Sequence, residues 1–351
     1  MLRNILIVSV LVFSSLVLQA QDRHFSQFYT SPLTLNPALT GVFNAKYRLG
    51  LINRDQWRSV LDNPYRTFAA SLEVKFGLDY FLRFAKKDKI AVGVVFYNDK
   101  VEGVDFRETR MALSLAYHKS LDRDSRNVLS LGLQAGISQR NVNFTDFVFD
   151  DQFNEIDAFD LATNEPIPVN NFTFGDYSVG LNYSYAPKKN YSFFAGAALH
   201  HIFEPRISFF EDRIMERIEG VVLPRNYTVH GGAVINFGSR FQISPRAAVL
   251  SQAAHFQITG GANLRIRLDE YDSTGLYAGL WTRLSNDVIS SLLTDSVIVT
   301  TGFEVDGFLI GLSYDLNIEA ISTFSTHQAT FELSLVYLGE YQNETILCPK
   351  F

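Results

Sequence analysis

Histidine, serine and carboxylate side chains that could carry out catalysis occur along the chain without the spacing that known catalytic motifs require. The adjacent pair His200 and His201 would point to opposite faces of a strand, so these two of the seven histidines could not bind one metal ion together. There is no His-Glu-x-x-His, Gly-x-Ser-x-Gly, Walker A or Gly-x-Gly-x-x-Gly sequence. A catalytic triad is recognised by its geometry, which a sequence does not give. We therefore expect no enzyme activity, no cofactor and no metal site, and a hydrolase remains only as a third hypothesis.

One acidic segment has the residue types of a calcium site. Residues 146–165 contain seven acidic residues and no basic one, with four phenylalanines among them. Carboxylate oxygens are ligands that Ca²⁺ prefers, but the Asp-x-Asp-x-Asp-Gly spacing of a calcium loop is absent. We therefore predict a solvated surface loop, whose phenylalanines could contact a partner.

The composition excludes several classes of protein. Of the 351 residues, 47% are hydrophobic, which is ample apolar surface for a folded structure. The formal net charge is −6, so no basic surplus is available to neutralise a phosphate backbone, and we expect no nucleic-acid partner. The single cysteine, Cys348, cannot form an internal disulfide or supply a zinc site that needs several thiolates.

The first 20 residues have the pattern of a secretory signal. Arg3 supplies a positive charge, residues 5–18 form an apolar run, and Ala20 ends the segment with a small residue. Because the run is shorter than the roughly 20 residues of a membrane-spanning helix, we expect cleavage, with Gln21 as the first mature residue. The mature chain is therefore expected to leave the cytoplasm. No later segment is apolar enough for a helical span, which argues against a helical inner-membrane protein.

The rest of the chain alternates apolar and polar residues with the period of two that is typical of β-strands. Six strands are clearly predicted, at residues 67–76, 110–118, 129–138, 178–185, 256–268 and 308–318. Eight weaker strands are predicted near residues 44–52, 89–98, 190–203, 225–237, 240–251, 275–284, 297–304 and 328–339.

Strands with one apolar and one polar face suit a membrane barrel or a soluble sandwich, and alternation alone does not separate the two. Three features favour the barrel. Aromatic residues such as Tyr117, Tyr183 and Tyr337 lie near strand ends, as in the girdles at a membrane interface. The polar faces are rich in small residues, as a crowded lumen requires, and a signal without a following cysteine suits a Gram-negative outer membrane. We therefore predict an all-β fold, a transmembrane antiparallel β-barrel of about 14 strands in the cell outer membrane.

The predicted connections agree with such a barrel. If both termini are periplasmic, connections after odd strands face outward and can be long, whereas those after even strands should be short. The long connections at residues 143–171, 204–224 and 285–296 all follow odd strands. Two connections do not follow the rule: residues 78–88 are long for an even turn, and residues 251–253 are short for an odd one.

Both ends of the mature chain resemble a known family. Residues 21–29 read QDRHFSQFY and residues 35–41 read LNPALTG, which is similar to the opening of the PorP/SprF family except that Arg23 stands where proline is common. Residues 311–317 (GLSYDLN) and the ending CPKF at 348–351 resemble the last strands and the terminus of that family. PorP/SprF proteins are outer-membrane proteins of the type IX secretion system of Bacteroidetes.

This resemblance implies a barrel that works with exported proteins. The implied partners are an adhesin-like exported surface protein, other type IX secretion components and outer-membrane lipid. The implied role is to help export or anchor large cell-surface proteins such as gliding adhesins.

The amino-terminal segment carries the residues that we expect to contact a partner. Phe25, Phe28 and Tyr29 have the spacing of one face of a short helical turn, and two prolines and Gly41 limit its length. This segment could plug the barrel or dock a partner, or it could only pack against the periplasmic rim. The predicted partner-binding residues are Phe25, Phe28, Tyr29, Leu35, Asn36, Pro37, Ala38 and Gly41.

The predicted domain organisation comprises four parts. They are a signal peptide at 1–20, a periplasmic amino-terminal segment at 21–43, the transmembrane barrel at 44–340 and a periplasmic tail at 341–351. Two hypotheses of different class remain for the function. The first is a non-enzymatic barrel of the secretion system. The second is a general outer-membrane pore or small-solute transporter, because a barrel of about 14 strands has room for a conducting lumen unless the lumen is plugged.

Overall fold

A computed structural model describes most of the chain. The described residues are 24–57, 64–78, 87–101, 105–144, 147–154, 156–165, 167–188, 190–209, 221–268, 274–286, 292–318 and 329–339. The predicted signal peptide and the predicted carboxy-terminal tail with Cys348 lie outside these residues. No helix among the described residues is long and apolar enough to cross a membrane.

Fourteen antiparallel strands form a closed barrel, which confirms the predicted fold. Each strand pairs with its neighbours in chain order, and the first strand pairs with the last. The strands are β1 (Tyr47–Gln56), β2 (Tyr65–Gly77), β3 (Lys89–Val101), β4 (Phe106–Ser120), β5 (Asn127–Val142), β6 (Asn171–Lys188), β7 (Tyr191–His200), β8 (Asn226–Phe237), β9 (Phe241–Gln252), β10 (His255–Arg267), β11 (Thr274–Asn286), β12 (Leu292–Val305), β13 (Phe308–Asn317) and β14 (Ala329–Gly339). Each predicted strand corresponds to one of these.

The apolar and polar residues that alternate along each strand lie on opposite faces of the barrel wall. On β5, Leu133 and Ile137 are 55% and 63% exposed, whereas their neighbours Gln134 and Ser138 are buried. The other strands repeat this pattern, so the outer wall is apolar and the lumen is lined by polar side chains. This arrangement is the one that a lipid bilayer stabilises, because the exposed apolar band is covered by hydrocarbon.

The two ends of the barrel carry different connections. At the end where odd strands finish, called the long-loop end, residues 143–170 join β5 to β6 and residues 201–225 join β7 to β8. At the opposite, short-turn end, Asp306 and Gly307 alone join β12 to β13. The connection expected at 285–296 is shorter than predicted, because β11 and β12 extend on both sides of it and leave only residues 287–291 between them.

The lumen is occupied by the segment that precedes β1. Residues 24–43, called the plug, contain a 3-10 turn (Phe28–Thr30), the short helix α1 (Pro32–Leu35) and a second 3-10 turn (Pro37–Leu39). Proline stands at the first position of α1 and of the second turn, where its fixed φ suits a helix start and its missing N–H is not needed. Gly41 follows with φ +78°, a conformation that favours glycine.

The plug passes from one end of the barrel to the other. Ser26 contacts Asp315 on β13 and Glu332 on β14, both in the half of the barrel near the long-loop end. The carbonyl of Phe43 accepts a hydrogen bond from Lys75, close to the short-turn end. The plug therefore lies along the lumen.

Candidate functional site

The structure brings the predicted partner-binding residues into the lumen. Seven of the eight are buried, and Tyr29 is half-buried. The plug contacts the inner wall of the barrel through aromatic and apolar side chains, through a turn at Asn36 and through buried carboxylates at its two ends.

The aromatic contact joins two of the three predicted aromatics to the wall. The ring of Phe28 meets Trp281 of β11 edge-on at 5.6 Å between centroids, and Tyr29 stacks on the same indole at 5.3 Å. Phe25 does not join them, because the 3-10 turn begins only at Phe28, and it packs instead beside Ile52. These pairs are in the edge-to-face and stacked arrangements that aromatic rings prefer.

An apolar cluster continues this contact along the plug. Phe28, Leu35, Leu39 and Val42 pack against Trp281 and two further wall residues, Ala248 and Ile298. Two smaller apolar clusters join Phe25 to Ile52 and Leu33 to Val95, so the hydrophobic effect holds the plug at three places. Trp281 is 1% exposed, and no motif or spacing in the sequence marks it as a site residue.

The asparagine turn consists of Asn36, Pro37 and Ala38. The side chain of Asn36 is fully buried, and its Oδ1 accepts a hydrogen bond of 2.8 Å from the Ala38 amide. Its Nδ2 donates to the carbonyls of Leu181 at 3.0 Å and Ala197 at 3.3 Å, and lies 3.0 Å from a ring nitrogen of His230. One side chain thus caps a turn of the plug and ties it to β6 and β7.

Two wall glycines allow this turn to approach the barrel backbone. A Cβ at Gly180 would lie 1.9 Å from Oδ1 of Asn36, and a Cβ at Gly132 would lie 2.2 Å from the amide nitrogen of Ala38. Real side chains do not reach such distances, so only glycine fits at these two positions while the plug is in place.

The carboxylate anchor holds the start of the plug. Glu332 of β14 is fully buried and accepts hydrogen bonds from the backbone amides of Ser26 at 2.8 Å and Gln27 at 2.9 Å. The same carboxylate pairs with Arg54 of β1 at 3.0 Å, and Arg54 also donates to the carbonyl of His24. Hydrogen bonds to an ionised group are about twice as strong as neutral ones, so this contact fixes the backbone of the plug to the wall.

A second carboxylate holds the other end of the plug. Glu73 of β2 accepts a hydrogen bond of 2.9 Å from the Gly41 amide and pairs with Arg48. His118 of β4 lies 2.8 Å from the carbonyl of Thr40 through one ring nitrogen and 2.7 Å from Ser130 through the other. Charged residues on the lumen side of predicted strands are the sequence signal that could have identified Glu73 and Glu332.

A cavity remains between the plug and the long-loop end. It has a volume of about 440 Å³ and is called the vestibule. Its lining includes Arg54, Asp99, Arg283 and Asp315, with Trp57 and Tyr65 among the aromatic members. The residues expected to bind the partner do not line it; His24, at the start of the plug, does.

The acidic loop has no metal-binding geometry among its described residues. Groups of three or more histidine, cysteine or acidic side chains that could hold a metal ion do not occur in the described parts of the chain. Within the loop, Asp151 accepts hydrogen bonds from Thr163 and the Asn164 amide, and Phe153 pairs with Phe159 at 5.0 Å between ring centroids. Asp151 and the Phe153–Phe159 pair thus join distant parts of the loop to each other.

Comparison with known proteins gives one family and a group of similar folds. The family described as type IX secretion system membrane protein PorP/SprF matches residues 17–337. No curated protein matches the chain in sequence. The structure is similar to the toluene transporter TodX of Pseudomonas putida, with a TM-score of 0.51 and 10% identity over 91% of this chain and 98% of TodX. The monoaromatic hydrocarbon channel CymD has a TM-score of 0.50 and 10% identity, over 90% and 93% of the two chains. At these identities the similarity shows a common barrel fold.

Proposed function

Because the chain belongs to the PorP/SprF family of type IX secretion system membrane proteins, we propose that this outer-membrane barrel helps to export or anchor a partner cell-surface protein such as a gliding adhesin. The role is non-enzymatic, and it involves other components of the secretion system. The signal peptide at residues 1–20 delivers the chain to the periplasm, and the long-loop end faces the cell surface, as long loops do in outer-membrane barrels.

The observation that supports this proposal is the packed plug. Side chains fill the interior of barrels with about eight strands, whereas porins with about 16 strands contain an open channel. A barrel of 14 strands is intermediate in width, so its conductance depends on what occupies the lumen. Here residues 24–43 occupy the lumen between the vestibule and the short-turn end and are held at both ends by buried carboxylates. A closed barrel suits a protein that holds a partner better than one that passes solutes.

Binding of the partner by the plug residues themselves stays a prediction. In the described arrangement residues such as Phe28 and Asn36 face the inner wall, so they are available to a partner only if the plug leaves the lumen. The segment predicted as periplasmic, residues 21–43, lies within the lumen over its described part. We therefore propose that these residues act first by closing the barrel and keeping its shape.

Deletion of the gene tests the proposed function. We expect the surface protein to be missing from the cell surface or released into the medium in the deletion strain, and to return on complementation with the wild-type gene. Surface labelling and fractionation measure both forms. If the surface protein still reaches the surface and stays attached without the barrel, the proposed function is wrong.

The general pore or small-solute transporter is the alternative. It requires an open lumen or a plug that moves under the conditions of transport. Its support is limited to the shared fold with channels such as TodX. Single-channel conductance of the purified protein separates the two functions, because a closed anchor gives no steady conductance.

A further inference from the structure

The short-turn end of the barrel carries its charges unevenly. Four successive connections at this end join strands between β2 and β9: residues 78–88, 121–126, 189–190 and 238–240. Their sequence contains seven lysine and arginine residues and four aspartates. The other two connections at this end, residues 268–273 and 306–307, contain four acidic residues and no basic one. One side of the short-turn end is therefore basic and the other is acidic.

Each of the four basic connections has an exposed cation without a partner, in the connection or directly beside it. These residues are Lys87, Arg123, Lys188 and Arg240, and together they are called the basic sector. Within the described parts of the chain, none of their side chains makes an ion pair or a hydrogen bond. Because no carboxylate of the protein neutralises them, these four cations are available to an anionic ligand.

Lys188 faces the bilayer side of the wall. It lies directly opposite Tyr191 in the pairing of β6 with β7, and opposite residues of antiparallel strands point to the same face of a sheet. Tyr191 is 40% exposed, whereas the next residue, Ser192, is 8% exposed and faces the lumen. The Lys188 side chain therefore leaves the wall on its outer face.

Aromatic side chains on the outer wall place the basic sector at the depth of lipid headgroups. Tyr183 and Tyr185 are exposed on the outer face of β6. Arg240 lies in the turn between Phe237 and Phe241, which are paired with each other and exposed. Belts of aromatic residues mark the boundary between hydrocarbon and headgroups, and long basic side chains beside them extend toward the headgroups.

The buried carboxylate on this side of the barrel is already neutralised. Asp88 is 3% exposed and pairs with Lys119 at 2.7 Å. It also accepts hydrogen bonds from the hydroxyl of Tyr117 and from the amide of Ser120. An anion that approaches the outer wall here therefore meets no unpaired negative charge at Asp88.

We propose that the basic sector binds the phosphate groups of anionic phospholipids in the periplasmic leaflet of the outer membrane. A guanidinium group matches the geometry of a phosphate, and a lysine adds a point charge beside it. Basic residues at a membrane surface attract lipids with a net negative charge, and this side presents four of them. The inference adds a lipid site to the proposed function and uses only its orientation, in which the short-turn end faces the periplasm.

Native mass spectrometry of the full-length protein in an uncharged detergent tests this site. The protein is mixed with equal amounts of phosphatidylglycerol and phosphatidylcholine that have the same acyl chains. We expect phosphatidylglycerol to be bound at least about fivefold more strongly than phosphatidylcholine, because each basic residue near a lipid surface contributes about this factor. The preference should decrease as the concentration of ammonium acetate rises, since salt screens exposed charges.

Variants connect the preference to the basic sector. The triple variant Arg123→Gln/Lys188→Gln/Arg240→Gln should bind both lipids equally, and Arg123→Gln alone should lose part of the preference. Arg107→Gln is the matched control and should keep it, because Arg107 is an exposed cation at the long-loop end of β4. Heat-modifiable migration on gels verifies that each variant forms a barrel. Equal binding of both lipids to wild-type protein, or an unchanged preference in the folded triple variant, overturns the proposal.

Further measurements separate the lipid from other anionic ligands. Displacement of phosphatidylglycerol by glycerol 3-phosphate would show a site for soluble phosphate esters and contradict the lipid assignment. If wild-type protein prefers neither lipid and the triple variant releases the surface protein from cells, the basic sector binds an acidic protein and the lipid assignment is wrong. If the lipid preference is found but gene deletion leaves the surface protein attached, the lipid site stands and the proposed function fails.

Discussion

The start and the middle of the plug are held by different kinds of contact. At the start, the amides of Ser26 and Gln27 donate to Glu332, whose charge is balanced by Arg54. These contacts are ionic and buried, and of the residues that make them only Arg54 lines the vestibule. The start of the plug is therefore held by a buried charge pair.

The middle of the plug is held by neutral hydrogen bonds and by close steric fit to the wall. The Asn36 side chain makes neutral hydrogen bonds with the wall, and the backbone of the asparagine turn lies against Gly132 and Gly180 without room for a methyl group. No substitute for these contacts is available from solvent, since the turn is buried on every side. The difference is that the start of the plug depends on charge, whereas its middle depends on the close approach of two backbones.

The largest loss of stability is expected from adding a side chain to a wall glycine that contacts the asparagine turn. Gly180→Val should destabilise the plugged state by more than about 4 kcal/mol, since its Cβ would overlap Asn36. Single-channel recordings should show conduction where the wild type shows none. Gly175→Val on the same strand is the matched control, because a Cβ there meets only the Tyr177 ring at 3.7 Å. If folded Gly180→Val protein forms closed channels, the contact between the asparagine turn and the wall does not hold the plug in place.

A smaller effect is expected at the carboxylate anchor. Glu332→Gln removes the charge opposite buried Arg54 and should destabilise the protein by about 3 kcal/mol. Hydrogen exchange should increase at residues 24–31 and less at residues 36–41. Glu304→Gln is the control, because Glu304 pairs with Arg265 on the wall and has no hydrogen bond to the plug among the described residues. Equal increases in both parts of the plug would contradict the division between them.

The Asn36 side chain should contribute less than the steric fit around it. Asn36→Ala removes the cap of the turn and its hydrogen bonds to the wall, which should destabilise the protein by about 2 kcal/mol. Thr34→Ala, at an exposed position two residues earlier, should change stability by less than about 0.5 kcal/mol. Thermal unfolding in detergent measures both. If Thr34→Ala loses as much stability as Asn36→Ala, contacts of α1 and not those of the asparagine turn hold the middle of the plug.

The strands were predictable because their signal is local. Alternation over about ten residues identifies each strand and its outward face, and it does so without knowledge of the partner strand. The loop between β11 and β12 was placed too wide because residues 292–296 follow no clean alternation and pair across a bulge at Arg283 and Leu284.

The contacts of the plug were not predictable in the same way. Ser26 and Glu332 are 306 positions apart, and nothing in either local sequence indicates the other. The sequence left open whether the aromatic and asparagine residues of the segment plug the barrel, dock a partner or pack at the rim, and their binding of a partner stays a prediction. Closure of the barrel by pairing of β1 with β14 decides which wall residues surround the plug.

Conductance of the purified barrel with and without the amino-terminal segment tests the central claim most directly. Wild-type protein in a planar bilayer should be closed, and protein lacking residues 21–41 should conduct steadily, because the wall of 14 strands remains while its filling is removed. Circular dichroism shows that the shortened chain keeps its strands. A wild-type barrel that conducts as well as the shortened one would contradict the account.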